Sequence, residues 1–236
     1  MQKKKKMARR NKLQKFSEIL SFPNVLENYE YNDVKLVGKD GVEVDMPGFW
    51  AEKQFGNNHP ITLELACGRG EYALALAARY PERNFIGMDI KGARIWRGAK
   101  NALDQGLENV AFLRSRIEQV AHFFEPGEID EIWITFPDPF LRDVKANRRL
   151  TSPPFLARYR QILKKGGIVH LKTDNTILYE YSLEVLAEEN DVDIVVQDSD
   201  IYAGDLVHPD LDIKTYYERK HLDNQLTIKY LAFRLG

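Results

Sequence analysis

From residue 61 onward the chain alternates short apolar runs with segments of helical period, and this alternation constrains the fold more than any other feature. Short links between the segments predict an α/β fold with a mostly parallel sheet covered on both faces. Two final strands without a long helix between them indicate an antiparallel addition at one edge of the sheet. The predicted strands are 61–66, 84–90, 109–114, 131–136, 167–172, 193–197 and 225–233, and the predicted helices are 71–80, 93–105, 117–124, 154–163 and 177–189.

The first 60 residues have a different character, so we predict a division into 1–60, a basic arm with an irregular extension, and 61–236, the main domain. The first fifteen residues hold eight lysines and arginines and no acid, which is typical either of an arm that meets nucleic acid or of a solubilising tail. No apolar h-region follows them, so we expect no secretory signal. The net charge of −1 means that any affinity for nucleic acid comes from a local basic patch.

The composition disfavours a membrane span, a disulfide or zinc site built on cysteine, and a metal site built on histidine. No apolar stretch approaches the roughly 20 residues that span a bilayer, so we expect no membrane partner. Cys67 is the single cysteine, which excludes an intrachain disulfide and leaves no zinc set. The five histidines show no metal spacing, and His170, in an apolar strand, is expected in the core. We therefore predict no metal, and a cytoplasmic location by default.

The segment LELACGRGEYALA, residues 63–75, ends the first strand of the main domain in a glycine loop. Gly68 and Gly70 allow a tight turn and a close approach of backbone to a ligand. Asp89 ends the next strand about 19 residues later, where an acid can accept from both hydroxyls of a ribose. Loop and acid together favour a cofactor that contains adenosine, over a plain strand–helix turn.

Four acids identify the cofactor more closely. Glu64, Glu71, Asp89 and Asp138 are all expected at one cleft, because ligands bind outside the carboxyl ends of parallel strands. Such a cleft repels the phosphates of NAD and attracts S-adenosyl-L-methionine, which carries a sulfonium and an ammonium. Glu64 is costly inside a buried strand unless it is paired, so the alternative is a structural ion pair with an arginine such as Arg94.

The segment ITFPDPF, residues 134–140, ends a predicted buried strand on an acid held between two prolines. Proline fixes its own φ and pushes the preceding residue out of the helical region. Asp138 is therefore expected in a stiff, extended turn. Either it is a carboxylate aimed into the cleft or it is a solvated acid where the strand stops.

Taken together, four segments resemble the bacterial tRNA (guanine-N7)-methyltransferases, the TrmB family. They are ELACGRGEYALALAARYPERNFIGMDI, ITFPDPF with RRLTSPPFL, LKKGGIVHLKTDN, and TYYERK, and the resemblance covers residues 61–236. It implies a class I S-adenosylmethionine-dependent methyltransferase fold, Rossmann-like with an antiparallel edge strand. It also implies S-adenosyl-L-methionine as donor and, as acceptor, N7 of guanine 46 in the variable loop of tRNA.

The resemblance also assigns residues. Glu64 and Asp89 match cofactor acids beside Gly68 and Gly70, and Asp138 matches an active-site carboxylate. Arg116 stands where the family often has an acid near adenine, which leaves a backbone contact there. The substrate-binding positions implied are Arg142, Asp174, Thr215, Tyr217 and Glu218.

Guanine N7 carries an in-plane lone pair and no proton, so its methylation needs positioning and no general base. Asp138 would stabilise the positive charge that arrives on the purine. Asp174 or Glu218 would accept from the N1–H and N2–H₂ donors of the base, although Asp174 is equally suited to cap a helix. Phe140 would stack on the base or pack in the core. The side chains expected at tRNA phosphates, unless they form an ordinary charged surface, are Arg142, Lys145, Arg148, Arg149, Lys164 and Lys165.

Three other functions fit parts of the pattern. Asp138-Pro139-Phe140 resembles the D-P-P-Y turn of enzymes that methylate exocyclic amino groups of nucleic acids. The G-x-G-x-x-A spacing from Gly68 permits a dinucleotide oxidoreductase, which Glu64 opposes. Departures at Arg116 and Leu141 leave room for a tRNA-binding relative without catalysis. The oligomeric state, monomer or homodimer, stays open.

Overall fold

The computed structural model of the chain describes residues 11–236, except for the side chain of Lys12, and most of the predicted basic arm lies outside these residues. Its centre is one ten-stranded sheet. The strands are β1 Val25–Glu27, β2 Leu36–Val37, β3 Glu43–Val44, β4 Ile61–Leu65, β5 Asn84–Asp89, β6 Val110–Arg114, β7 Ile129–Thr135, β8 Leu163–Thr173, β9 Val192–Asp198 and β10 Lys229–Leu235. Their order in the sheet is β3-β2-β1-β6-β5-β4-β7-β8-β10-β9. The six neighbouring strands from β1 through β8 in this order are parallel to one another.

Helices cover the sheet on both sides and enclose two apolar cores. On one face of the sheet, the first three helices pack into a shared core through residues such as Ile19, Ala73 and Ile95. On the other face, the next two helices pack into a second core through residues such as Phe155 and Leu178. The helices are α1 Lys12–Ile19, α2 Glu71–Arg79, α3 Gly92–Gln105, α4 Pro153–Ile162, α5 Thr176–Glu188 and α6 Tyr216–Asp223.

The order of the strands fixes where a ligand binds. After β4 the chain adds β5 and β6 on one side of the sheet, and then returns to place β7 and β8 on the other side of β4. The winding thus reverses between β4 and β7, and a crevice opens at their carboxyl ends. Strands β4, β5 and β7 are buried throughout or nearly so, as expected for central parallel strands.

The predicted α/β fold with a mostly parallel sheet is confirmed, with several local differences. The segment predicted as a helix over 117–124 is a 3₁₀ segment, Ile117–His122. The predicted antiparallel addition of the last two strands at one edge is also confirmed, because β10 pairs antiparallel with β8 and β9 lies beyond β10 at the edge of the sheet. Sequence reasoning does not find β1 or α6.

Strands β1 to β3 precede residue 60 and pair in the same sheet as the strands that follow it. The division of the chain at residue 60 stays a prediction. Within the described residues, no helix has the length and apolarity required to cross a lipid bilayer.

Candidate active site

A cleft lies at the carboxyl ends of β4 and β7, and it has two chambers that share Ala66, Arg94 and Phe136. The first chamber is also lined by Asp89, Ile90, Lys91, Arg116, Ile117, Glu118, Pro137, Asp138, Phe140, Arg148, Leu150 and Phe155. The second chamber is also lined by Glu64, Cys67, Gly68, Arg69, Glu71, Thr135, Thr215, Tyr216 and Tyr217. The cleft thus brings together the predicted cofactor residues other than Gly70 with the Thr215–Tyr217 part of the predicted substrate segment.

The backbone is strained where it enters the cleft. Ala66 follows β4 with φ 56°, Phe136 follows β7 with φ 49°, and Phe140 has φ 43°. Left-handed backbone is uncommon for residues other than glycine and costs energy, so it concentrates at sites where function requires a particular geometry. Both neighbouring strands therefore turn sharply at the crevice.

The glycine loop packs so closely against Phe112 that there is no room for a side chain at Gly70. Gly70 has φ 63°, and a Cβ there would lie 2.4 Å from Cε1 of Phe112. Asp89 holds the loop from the neighbouring strand, since its carboxylate accepts from the amides of Gly68 at 2.9 Å and Lys91 at 2.8 Å. The loop is therefore fixed, with Asp89 at its base.

Glu64 lies in β4 and is only 2% exposed. Its carboxylate accepts from the Ala73 amide at 2.9 Å, in the first turn of α2, and from the Thr135 hydroxyl at 3.0 Å. These partners, rather than the alternative of an ion pair with Arg94, satisfy it. Burial raises the pKa of the Glu64 carboxyl to about 8, and the charges of Asp89 and Glu71 act in the same direction, against the two hydrogen bonds.

Asp138 is exposed and lines the first chamber, while Pro137 before it is buried. Among the described residues, nothing forms a hydrogen bond or ion pair with its carboxylate. The turn around it is held from behind, because the Arg149 guanidinium donates to the carbonyls of Pro139 and Phe140, both at 3.1 Å. The turn thus presents a free carboxylate on an anchored backbone.

Arg149 was expected at tRNA phosphates, and that prediction is wrong. The residue is 3% exposed, and its guanidinium lies 4.3 Å from the centre of the Tyr181 ring. Sequence reasoning sees only a basic pair in Arg148-Arg149. The structure separates the two, because Arg148 is exposed and lies over Phe140 with 4.9 Å between guanidinium and ring centre.

Asp174 directly follows β8, and the alternative that it caps a helix is wrong. The cap of α5 is Asn175, whose side chain accepts from the Leu178 amide at 2.8 Å. The Asp174 carboxylate lies instead 3.5 Å from Nδ1 of His221 in α6, and both side chains are partly exposed. It remains accessible to a ligand.

The predicted substrate segment begins α6 and divides into buried and exposed members. Thr215 caps the helix, and its hydroxyl accepts from the Glu218 amide at 3.2 Å in a capping box. Tyr217 is 45% exposed at the second chamber. Arg116 is exposed at the first chamber, and its guanidinium lies 5.9 Å from the centre of the Tyr31 ring.

Glu218 is placed differently from its prediction. It is 0% exposed and ion-pairs at 2.8 Å with Lys172, which is also fully buried. It also accepts from the Tyr202 hydroxyl at 2.7 Å. Lys172 donates further to the carbonyls of Leu211 at 2.9 Å and Ile213 at 3.0 Å. The expected contact of Glu218 with a guanine edge is therefore wrong for this geometry, and the pair instead fastens the segment before α6 to β8.

The other basic residues predicted to contact tRNA phosphates lie in two separate places. Arg142 is exposed and precedes a 3₁₀ segment, Asp143–Arg148, which contains Lys145 and whose last residue, Arg148, lines the first chamber. Lys164 and Lys165 lie at the opposite end of β8, about 20 Å from its carboxyl end, because Leu163 pairs with Ile129 and Lys172 with Thr135, six residues apart on β7 at about 3.3 Å per residue. Lys164 lies 3.2 Å from Asp130. These two lysines thus lie at the opposite ends of the strands from the cleft.

His170 lies in the core, as predicted. It is 1% exposed, its ring stacks on Trp133 with 4.0 Å between ring centres, and Nδ1 lies 2.7 Å from the Tyr230 hydroxyl. Within residues 11–236, no group of three or more His, Cys, Asp or Glu side chains has a metal-binding arrangement.

Comparison with known proteins gives consistent matches. Residues 58–231 match the family model described as "Putative methyltransferase". A Bacteroides thetaiotaomicron protein named tRNA (guanine-N(7)-)-methyltransferase is 49% identical over 226 residues, covering 96% of this chain and 86% of that protein. A protein of the same name from Christiangramia forsetii is 44% identical, covering 97% and 100%.

Solved structures agree on the fold. The 16S rRNA methyltransferase KamB superposes with a TM-score of 0.61 at 14% identity, over 85% of this chain and 98% of that chain. A 30S ribosomal A1408 methyltransferase gives 0.59 at 18% identity, over 86% and 100%. The fold is therefore that of the class I S-adenosylmethionine-dependent methyltransferases.

Proposed function

Since the chain belongs to the family of tRNA (guanine-N7)-methyltransferases, we propose that it transfers the methyl group of S-adenosyl-L-methionine to N7 of guanine 46 in tRNA. The observation that carries the proposal is the cleft itself. It has a free carboxylate on an anchored backbone, Asp138, lining the same chamber as Asp89, the acid proposed to bind the cofactor. We also propose a cytoplasmic location, which a tRNA substrate supports.

The chemistry of the cleft fits S-adenosyl-L-methionine, which supplies an electrophilic methyl group when bound. The acidic side chains Glu64, Glu71, Asp89 and Asp138 line the two chambers, and they suit a ligand with two positive groups. The Gly68–Gly70 loop allows close approach of a ligand to backbone. We assign Glu64, Gly68, Gly70, Asp89, Arg116 and Asp138 to cofactor binding, Arg116 through its backbone.

Asp138 carries the catalytic role in this proposal. N7 of guanine is an unprotonated nucleophile, so the site has no proton to remove. In the displacement, positive charge moves from the donor sulfur to the purine ring. A fixed carboxylate beside the ring stabilises that charge as it develops, and an acid that is not already paired within the protein is suited to this. Arg149 contributes by holding the backbone of the Asp138 turn.

Substrate binding is assigned to side chains at the cleft mouth. Asp174 is suited to accept from the N1–H and N2–H₂ groups of an unstacked guanine, as RNA-binding proteins do on such edges. Thr215 and Tyr217 form one wall of the second chamber, and Glu218 contributes by anchoring that wall. Arg142, Lys145 and Arg148 are positioned to meet tRNA phosphates, which makes binding sensitive to salt.

The direct test is methyl transfer from labelled S-adenosyl-L-methionine into tRNA that lacks 7-methylguanosine, followed by nucleoside analysis. We expect the label in 7-methylguanosine from the variable loop. Label in an N6-methylated or N2-methylated nucleoside would support the amino-group alternative. Binding of tRNA and cofactor with no transfer would support the relative without catalysis, and binding of NAD in place of S-adenosyl-L-methionine would support the oxidoreductase.

Glu64 makes cofactor binding pH-dependent. Two positive groups on the ligand favour the ionised carboxylate, so binding at pH 7 should release close to one proton from a group whose pKa is about 8. Calorimetry in two buffers of different ionisation enthalpy measures this release. Glu64→Gln should abolish it, and a wild-type protein that releases no proton would contradict the assignment.

The same carboxyl affects stability in the free protein. The unfolded chain releases this proton near the ordinary value of 4.5, whereas the folded chain keeps it up to about 8. The contribution of Glu64 to stability is therefore fully present below pH 4.5 and is lost as pH rises to about 8. Unfolding free energies of the Glu64→Gln variant should decline less over this range.

A further inference from the structure

The second chamber contains two arginines, Arg69 and Arg94, among its acids. Arg94 also lines the first chamber, so its guanidinium lies where the two chambers meet. Its position and its partners suit it to bind a charged group of the ligand.

Close packing of α3 on the glycine loop determines where Arg94 lies. A Cβ at Gly98 would lie 2.7 Å from the carbonyl oxygen of Arg69, so only glycine allows the helix this close to the loop. Arg94 precedes Gly98 by one helical turn on the same face. Its Nη1 lies 4.0 Å from the position that a Cβ of Gly68 would occupy. The guanidinium therefore extends over the loop that faces the ligand.

The partner of Arg94 in the protein is neutral. Nη2 donates to the Tyr217 hydroxyl at 3.2 Å, and the guanidinium lies 5.9 Å from the centre of the Tyr217 ring. In the part of the chain that the structure describes, no carboxylate lies within ion-pair distance of Arg94, although Glu64, Glu71 and Asp89 line the same cleft. Tyr217 thus orients a cation whose charge is not neutralised by the protein.

The charges of the cofactor match this arrangement. S-adenosyl-L-methionine carries two positive groups, which the acids of the cleft attract, and one carboxylate, which they repel. A guanidinium binds a carboxylate through two parallel hydrogen bonds, and it keeps its charge at every relevant pH. We propose that Arg94, oriented by Tyr217, binds the carboxylate of the methionine moiety at the junction of the two chambers. This inference rests on the proposed use of S-adenosyl-L-methionine.

Arg69 is the competing cation. It is exposed on the loop, and its guanidinium lies 5.4 Å from the centre of the half-exposed Tyr216 ring. It lines only the second chamber, whereas Arg94 is half-buried at the junction and hydrogen-bonded. The preference for Arg94 is therefore itself testable.

The test compares two ligands that differ in the amino-acid moiety. S-adenosylhomocysteine carries the carboxylate, and 5′-methylthioadenosine lacks the whole moiety. Calorimetric affinities are measured for wild type, Arg94→Met, Arg69→Met and the matched control Arg97→Met, an exposed arginine in the same helix. We expect Arg94→Met to weaken S-adenosylhomocysteine about 10- to 100-fold, as for a lost charge-assisted hydrogen bond, and to leave 5′-methylthioadenosine unchanged. Tyr217→Phe should give a smaller loss in the same direction.

Three outcomes would overturn the inference. Equal losses for both ligands would mean that Arg94 only supports the cleft. A loss confined to Arg69→Met would assign the carboxylate to Arg69. Unchanged ligand affinities with weaker tRNA binding in Arg94→Met would assign Arg94 to a tRNA phosphate. In each case wild type still binds S-adenosylhomocysteine, whereas a wild-type protein that does not bind it would contradict the proposed function itself.

Discussion

Asp138→Asn should lower kcat for methyl transfer by about 100-fold or more, the size of effect seen when one preorganised electrostatic group is removed from a transition state. The melting temperature should not change, because the carboxylate is exposed and no described residue pairs with it. Affinity for S-adenosylhomocysteine should also hold, since its sulfur is neutral. Single-turnover kinetics with saturating tRNA measure the chemical step directly.

The matched control is Asp205→Asn. It removes the same charge from an exposed side chain outside both chambers. Its kcat should stay within about two-fold of wild type. If Asp138→Asn kept the wild-type rate of the chemical step, the carboxylate would not stabilise the developing charge, and the solvated-turn interpretation would stand.

Glu218→Gln should destabilise the protein by about 3–5 kcal/mol, because removing one member of a buried ion pair leaves the other charge uncompensated. Lys172 and Glu218 are both 0% exposed and 2.8 Å apart. Burial already lowers the pKa of Lys172 against the charge of Glu218, and loss of Glu218 lowers it further. The destabilisation should therefore shrink as pH rises toward 10.5, where the unfolded chain also loses this proton.

Denaturant unfolding of Glu218→Gln, Lys172→Met and the double variant gives the coupling energy. The double variant should lose less stability than the two single losses combined. Asp223→Asn, an exposed acid in the same helix, should change stability by less than about 0.5 kcal/mol. A Glu218→Gln variant with normal stability and a raised KM for tRNA would restore the base-contacting role that the sequence suggested.

Periodicity predicts the central strands well, because buried parallel strands are continuously apolar and are separated by amphipathic helices. It does not find β1, since Val25–Glu27 has three residues and no room for a pattern. It also does not find α6, whose eight residues are mostly polar. The capping box of Thr215 and Glu218 was the available signal for that helix.

In the site, too, the sequence predicts the location of some residues and does not predict the burial of others. Residues at strand ends, such as Asp89 and Asp138, can be located from sequence because the carboxyl ends of parallel strands lie side by side. Burial of a charged side chain cannot be inferred in this way. Arg149 and Glu218 look like surface groups in the sequence, and only the packing around the Asp138 turn and under α6 shows that they hold the cleft from behind.

The most direct test of the central claim replaces one atom in the substrate. A tRNA in which guanine 46 is exchanged for 7-deazaguanine keeps the pairing edge and the phosphates and has a carbon in place of N7. The proposed function predicts that this tRNA binds with normal affinity and accepts no label from S-adenosyl-L-methionine, while unmodified tRNA accepts one methyl group. Label transferred to the 7-deaza tRNA at the normal rate would show that the methyl group goes to another atom, and would contradict the assignment of N7 as the nucleophile.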